Sequence, residues 1–327
     1  MVNVAKPFRI LSLDGGGIRG LVPALVLASL EAETGKPVAD LFDLVVGTST
    51  GGILALALTR KNPPSAEELV GLYEKNGARI FDRSLWRKLP GYPLLDEKYS
   101  ADGLVEVLKE YLIDASLSDA TTDVIVTSYA LEQRSPFFFK STKAKDPQTS
   151  ETHDFPIWEV GRATSAAPTY FEPYKLTGKS GDSFSLVDGG VFANNPALCA
   201  LAEAMSMGRT PSDIVMLSIG TGEHTRSIAH EDAVGWGLAS WAVPIIGIMM
   251  DGVSDTVHYQ TSQILSGDSY LRIQGKLTDV MDDMDDASQT NIRALRVFAE
   301  RLVRDHSKDL KRIAKRLVTP ATKTAGQ

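Results

Sequence analysis

Residues 44–58 read LVVGTSTGGILALAL, an apolar run that ends in a glycine-bracketed serine and continues at once into a Leu- and Ala-rich stretch. The run has strand length, and the stretch over residues 50–60 has the composition of a helix that packs closely on a sheet. Between them Gly47, Ser49 and Gly51 spell G-x-S-x-G. Alone that pentapeptide is weak, because glycine and serine are common. Between a strand and a helix it describes a nucleophile elbow, where the turn strains the serine backbone and pushes its hydroxyl to the sheet edge. Only small neighbours, here Gly47, Thr48, Gly51 and Gly52, avoid the flanking strand and helix. The helix points its positive end at Ser49, favouring negative charge on the serine oxygen. The competing reading is that Ser49 merely caps the helix.

This turn decides how an earlier one is read. In RILSLDGGGIRG, residues 9–20, Gly15, Gly17 and Gly20 satisfy G-x-G-x-x-G after a strand, which suits a dinucleotide pyrophosphate. The bare N–H groups of Gly15, Gly16 and Gly17 suit equally the transient oxyanion of an acyl transfer. A dinucleotide fold requires an acid at the end of the next strand to hold the ribose, but that strand ends in glycine and serine. Asp40 and Asp43 lie at its opposite end. The oxyanion reading is therefore preferred over an oxidoreductase, and Asp14 is taken as a turn former.

Outward from these turns, strand-length apolar runs alternate with helical patterns, the signature of βαβ units around a mainly parallel sheet with helices on both faces, a three-layer α/β fold. Strands are expected at 8–13, 42–46, 123–130, 136–140, in FSLVDGG (184–190) and in DIVMLSIGTG (213–222). Helices are expected at 21–33, with Pro23 in the first turn and Gly35 beyond the end, after the capping box Ser65/Glu68, and at 100–112. The helix that carries Cys199 has a buried face, and the tail over 286–318 is helical. Residues 81–98 read as an irregular flap and 143–154 as a polar loop. With no repeat and no linker composition, one domain over 1–327 is expected, its core at about 9–200 and a helical portion at about 230–318.

Composition excludes several classes. Of 327 residues, 43% are hydrophobic and 23% charged, and the formal net charge of −7 argues against a nucleic-acid partner. The single cysteine, Cys199, excludes an internal disulfide framework and suits a small core residue rather than a reactive thiol. No secretory pattern opens the chain, so a cytoplasmic location, peripheral to membranes at most, is expected. Neither a metal nor a cofactor is called for. The acid-rich run 279–286 lacks the pattern of a calcium loop and reads as solvated charge. Residues 236–250, WGLASWAVPIIGIMM, are too short and too interrupted by Pro244 to span a bilayer; they suit a core helix or an apolar acyl pocket. The basic stripe of 308–318 suits a solvated terminal helix or one lying on lipid.

A serine nucleophile needs a proton acceptor. Of the five histidines only His224 directly follows a strand, and Ser49, Asp188, His224 is the chain order of an α/β-hydrolase triad. Taken together, DGGGIRG, GTSTG and the DGG of SLVDGGVFANNP resemble the patatin-like phospholipases, a resemblance that runs from about Arg9 to Leu302. It implies a two-residue dyad of Ser49 and Asp188 without a histidine, supported by Gly47, Gly51, Gly189 and Gly190. It also implies Gly15, Gly16 and Gly17 as the oxyanion loop. Arg19 would fix the loop, attract a phosphate headgroup or hold nearby carbonyls. The implied substrates are phospholipids or lysophospholipids reached by transient membrane contact, and some family members are effectors that a nucleotide or other activator switches on. For Asp188 to serve as a base near neutrality, a dry site must raise its proton affinity.

Overall fold

Three runs of the sequence have no polar face. β1 (Phe8–Leu13), β2 (Leu44–Thr48) and β7 (Ile214–Ile219) are buried along almost every residue, as parallel strands covered on both sides must be. A computed structural model, describing residues 7–82, 98–223, 225, 227–241, 244–265, 267–281 and 283–318, places them side by side in one eight-stranded, mostly parallel sheet. The others are β3 (Asp123–Ala130), β4 (Ser135–Lys140), β5 (Tyr174–Thr177), β6 (Ser183–Asp188) and β8 (Tyr270–Ile273). β3, β2, β1, β7 and β8 run parallel in that order, while β4 and β6 lie antiparallel to β3, and β5 to β6.

The register on β3 positions everything that follows. β4 pairs with its residues 125–130 along one edge, so β2 and β6 must share the other edge in succession. β2 ends with Thr48 opposite Thr127, and β6 arrives from the opposite direction to put Asp188 opposite Ser128. Asp188 thus occupies the place in the sheet that residue 49 would take had β2 continued.

Helices cover both faces. The larger apolar core packs helices Leu21–Thr34, Thr50–Thr59, Ala66–Ile80 and Asp102–Leu112 on one side. A smaller one joins Ile10, Val46 and Met216 to Ala200, Leu201 and Ala204 of helix Ala197–Ser206 on the other. Thr50–Thr59 is buried at all ten positions, which explains a sequence with no polar stripe. Helix Ala66–Ile80 opens with the expected capping box, and Gly35 closes Leu21–Thr34 at φ +64°.

Several expectations need correction. The polar loop at 143–154 contains the end of one short helix, Ser141–Lys145, and all of another, Ser150–His153. The tail is two helices, Gln289–Asp305 and Ser307–Val318, and β8 was not foreseen because its four residues carry too little pattern. Cys199 is half-buried rather than fully buried, and burial raises its thiol pKa. Most of the expected flap, together with His224, lies outside the described residues. Asp43 pairs with Arg9 at 2.8 Å, at the end of β2 away from the glycine turns.

The terminal helix spends its apolar stripe inside the protein. Leu310, Ile313, Ala314 and Leu317 are all buried in the larger core, and the Leu317 carbonyl accepts a hydrogen bond from Arg9 Nη1 at 2.8 Å. The stripe of this helix is not turned toward lipid. Leu317→Ala should therefore cost about 2–5 kcal/mol of unfolding free energy by urea titration, whereas a solvated or lipid-facing stripe would lose about 0.5 kcal/mol or less.

Candidate active site

Ser49 sits at φ 54° and ψ −123°, a region a non-glycine residue occupies only when its surroundings impose it. The surroundings are specific. Its N–H donates to Thr164 Oγ1 at 2.8 Å, and the Thr164 hydroxyl donates to the Thr127 carbonyl at 2.6 Å. Thr48 donates its hydroxyl proton to the Ala193 carbonyl at 2.6 Å and accepts from Thr127 at 2.7 Å. A Cβ at Gly51 would lie 2.3 Å from the Leu13 carbonyl, and one at Gly47 2.2 Å from the Gly51 carbonyl, so the elbow closes only with glycine at both. Although Ser49 occupies the cap position of helix Thr50–Thr59, its side chain makes no capping hydrogen bond. The hydroxyl is left for other work.

Asp188 is 1% exposed at the end of β6. Its Oδ1 accepts the Gly190 N–H at 2.7 Å, while Oδ2 is buried with no hydrogen-bond partner among the described residues. Gly189 packs directly on Thr127, where a Cβ would meet Thr127 Oγ1 at 2.1 Å. Burial raises the Asp188 pKa to about 7, against the opposing influence of the nearby Ser49 hydroxyl and the Gly190 amide. The Ser49 hydroxyl acts on it without the geometry of a formed hydrogen bond, an arrangement common before substrate arrives.

The glycine loop passes beside Ser49, since a Cβ on Gly15 would come within 3.3 Å of the Ser49 Cβ. Its three amides are not equivalent. The Gly15 N–H donates to the Asn194 carbonyl at 3.0 Å, which removes it from the expected set of three. The N–H groups of Gly16 and Gly17 have no acceptor among the described residues. Gly17, at φ +59°, lines the same cavity as Ser49. Arg19 is 4% exposed and its Nε donates to the Gly16 carbonyl at 3.3 Å, so it holds the loop from inside.

Ser49, Asp188 and Gly17 open onto one apolar cavity, lined further by Ile53, Leu72, Ile80, Leu104, Phe171, Met250 and Met284. No histidine lines it among the described residues. Among them, too, no cluster of metal-ligand type exists. Such a wall suits a hydrocarbon chain, and the arrangement can present a hydroxyl, a partly dry carboxyl and free amides to one carbonyl group.

Sequence reading missed part of this site. Asn194 and Thr164 stand in FANNP (192–196) and GRATSAAP (161–168), but a lone Asn or Thr carries no signal of its own. The acid-rich run is not merely solvated: the Met284 carbonyl accepts the Ile18 N–H at 2.9 Å, and Asp285 is buried against Tyr99 and Lys98. The apolar stretch before residue 250 is not a core helix either. Helix Pro244–Ile264 buries Met250 at the cavity but leaves Ile245, Ile248 and Met249 exposed.

Known proteins resemble this chain over most of its length. The family model described as "Patatin-like phospholipase" matches residues 11–201. "Probable inactive patatin-3-Kuras 1" of Solanum tuberosum is 32% identical over 331 residues, covering 90% of this chain and 86% of the relative. "Patatin group M-2" of the same plant is 33% identical over 361 residues, covering 96% and 91%. VipD from Legionella pneumophila overlaps 91% of this chain and 67% of its own at a TM-score of 0.39 and 12% identity, too remote to add to the assignment. By the matched domain and by relatives that align over nearly its whole length, this chain belongs to the patatin-like phospholipase family.

Proposed function

We propose that the protein is a serine lipid acyl hydrolase of phospholipase A type, acting on fatty-acyl esters of phospholipids or lysophospholipids. The observation that carries this reading is the shared edge of β3, which brings the uncapped hydroxyl of Ser49 and the unpartnered Oδ2 of Asp188 together at one apolar cavity. Ser49 Oγ bonds to the ester carbonyl carbon while its proton passes to Asp188. The N–H groups of Gly16 and Gly17 receive the developing oxyanion. Collapse of the tetrahedral intermediate breaks the ester C–O bond, and the departing alkoxide takes the proton from Asp188. Water then repeats the sequence on the acyl-enzyme, and the fatty acid leaves. The exposed Ile245, Ile248 and Met249, on the helix whose Met250 faces the cavity, suit transient contact with a lipid surface.

A substrate panel tests the assignment. On phospholipid, lysophospholipid and neutral ester, Ser49→Ala and Asp188→Asn should each lower kcat by about 10³-fold or more, while His224→Ala should keep most turnover. Wild-type rates from Ser49→Ala would end the proposal; loss of turnover in His224→Ala would replace the dyad with a triad.

The pH dependence has two faces. With the Asp188 pKa at about 7, turnover should rise as the pH climbs through 7 and the base ionises. Stability runs the other way. The raised value means that the folded protein keeps a proton the unfolded chain has already released between about pH 4 and 7, so stability falls across that window as pH rises. Asp188→Asn should therefore melt above the wild type at pH 8, and the gap should narrow as the pH is lowered toward 5. Equal melting temperatures at both pH values would show that Asp188 titrates normally.

A further inference from the structure

Directly below the glycine loop lies a buried ion pair that the reaction described above does not use. Asp14, the residue before Gly15, is held by both arms of the Arg272 guanidinium: Nη1 donates to Oδ1 at 2.8 Å and Nη2 to Oδ2 at 2.5 Å. Both side chains are almost wholly enclosed. The sheet register explains the reach. Ser12, Ser218 and Arg272 stand abreast on β1, β7 and β8, and Asp14 lies two residues further along the same face as Ser12. Arg272 crosses over Ser218, donating to its hydroxyl at 2.8 Å, and the small serines leave it room.

Three other contacts fix the same few atoms. The Asp14 N–H donates to the Ile219 carbonyl at 3.1 Å, and the Gly15 N–H to Asn194. The Gly15 carbonyl accepts the Thr221 hydroxyl at 2.8 Å. Every polar group of Asp14 and Gly15 named here is engaged, and the free amides begin at the next residue, Gly16. This pattern places the rigid part of the loop before the part that would meet the substrate. An arginine fork fixes a carboxylate in direction as well as distance, which an ammonium cannot do.

We propose that Arg272 is a positioning residue for ester hydrolysis: through its two-pronged hold on Asp14 it sets where the Gly16 and Gly17 amides point. The proposal rests on the acyl hydrolase reading, and Arg272 itself touches no reacting atom. An oxyanion-hole donor is effective only over a narrow range of positions, and losing one costs about 10²–10³ in kcat. Loosening its support should cost less than that.

The test compares wild type, Arg272→Lys, the paired neutral variant Asp14→Asn/Arg272→Gln, and Ser218→Ala, which removes one support of Arg272 and leaves the ion pair. Each is assayed on a soluble p-nitrophenyl ester for kcat and KM, and for binding of an alkyl trifluoromethyl ketone, which Ser49 converts to an oxyanion adduct. Arg272→Lys should lower kcat about 10- to 100-fold with KM within about twofold of wild type, and weaken the ketone by a similar factor. Asp14→Asn/Arg272→Gln should do the same while melting near the wild type, and Ser218→Ala should show a smaller loss in the same two readouts. A purely structural pair would lower the melting temperature and leave kcat and ketone affinity unchanged in whichever variants fold, Ser218→Ala included; that result overturns the proposal. A wild type no faster than Ser49→Ala would remove the reaction the clamp serves and the proposal with it, a failure that the control separates from one at Arg272.

Discussion

The site depends on one edge of β3 being shared by two strands that meet end to end. Thr48 pairs with Thr127 and Asp188 with Ser128, so consecutive residues of a single strand fix the two side chains that matter most. A slip of one residue in β2 or β6 would turn every side chain of that strand to the opposite face of the sheet and move its end along β3. Ser128 and Thr127 also reach across the junction, Ser128 donating to the Val187 carbonyl at 2.6 Å and Thr127 to the Thr48 hydroxyl. The geometry at the serine is thus a property of the sheet rather than of a loop. That is why a strained φ at Ser49 persists: the strand before it and the wholly buried helix after it leave the backbone no other course.

Much of this was legible in the sequence, for a physical reason. Tight turns between buried elements demand glycine, and G-x-S-x-G, DGGG and DGG are the residues such turns require. Ser49, Asp188 and Gly17, each from one of those turns, line one cavity. Strands β1, β3 and β7 were readable because a strand covered on both faces is apolar along most of its length. What could not be read are contacts made by ordinary residues through tertiary placement. Thr164 supports the Ser49 amide across 115 positions of chain, and Arg272 reaches Asp14 across 258. Nothing in either residue's neighbourhood marks it.

Composition does not say what packs against a segment, and that limits what the sequence shows of the acid-rich run and of the terminal helix. The acid-rich run looked solvated because its charges dominate, yet its backbone and Met284 form one wall of the glycine loop and the cavity. The basic terminal stripe looked able to lie on lipid, yet its apolar side completes the core beside helix Leu21–Thr34. The reading of 143–154 as a loop misses helices of five and four residues, too short for a helical period to show.

The two buried carboxyls near the serine are treated in opposite ways, and the contrast is informative. Burial alone works against the charged form of each. At Asp14 the Arg272 fork opposes that cost and engages both oxygens, though burial still leaves the pKa raised. At Asp188 no cation is supplied among the described residues; one oxygen takes a single backbone amide and the other has no partner there, so the group stays near the balance between charged and neutral. A carboxyl that must hold a loop needs both oxygens engaged. A carboxyl that accepts and returns a proton, the role proposed for Asp188, needs its charge undecided. The same sheet end provides both conditions within one site, by placing an arginine under the glycine loop and apolar side chains around the serine.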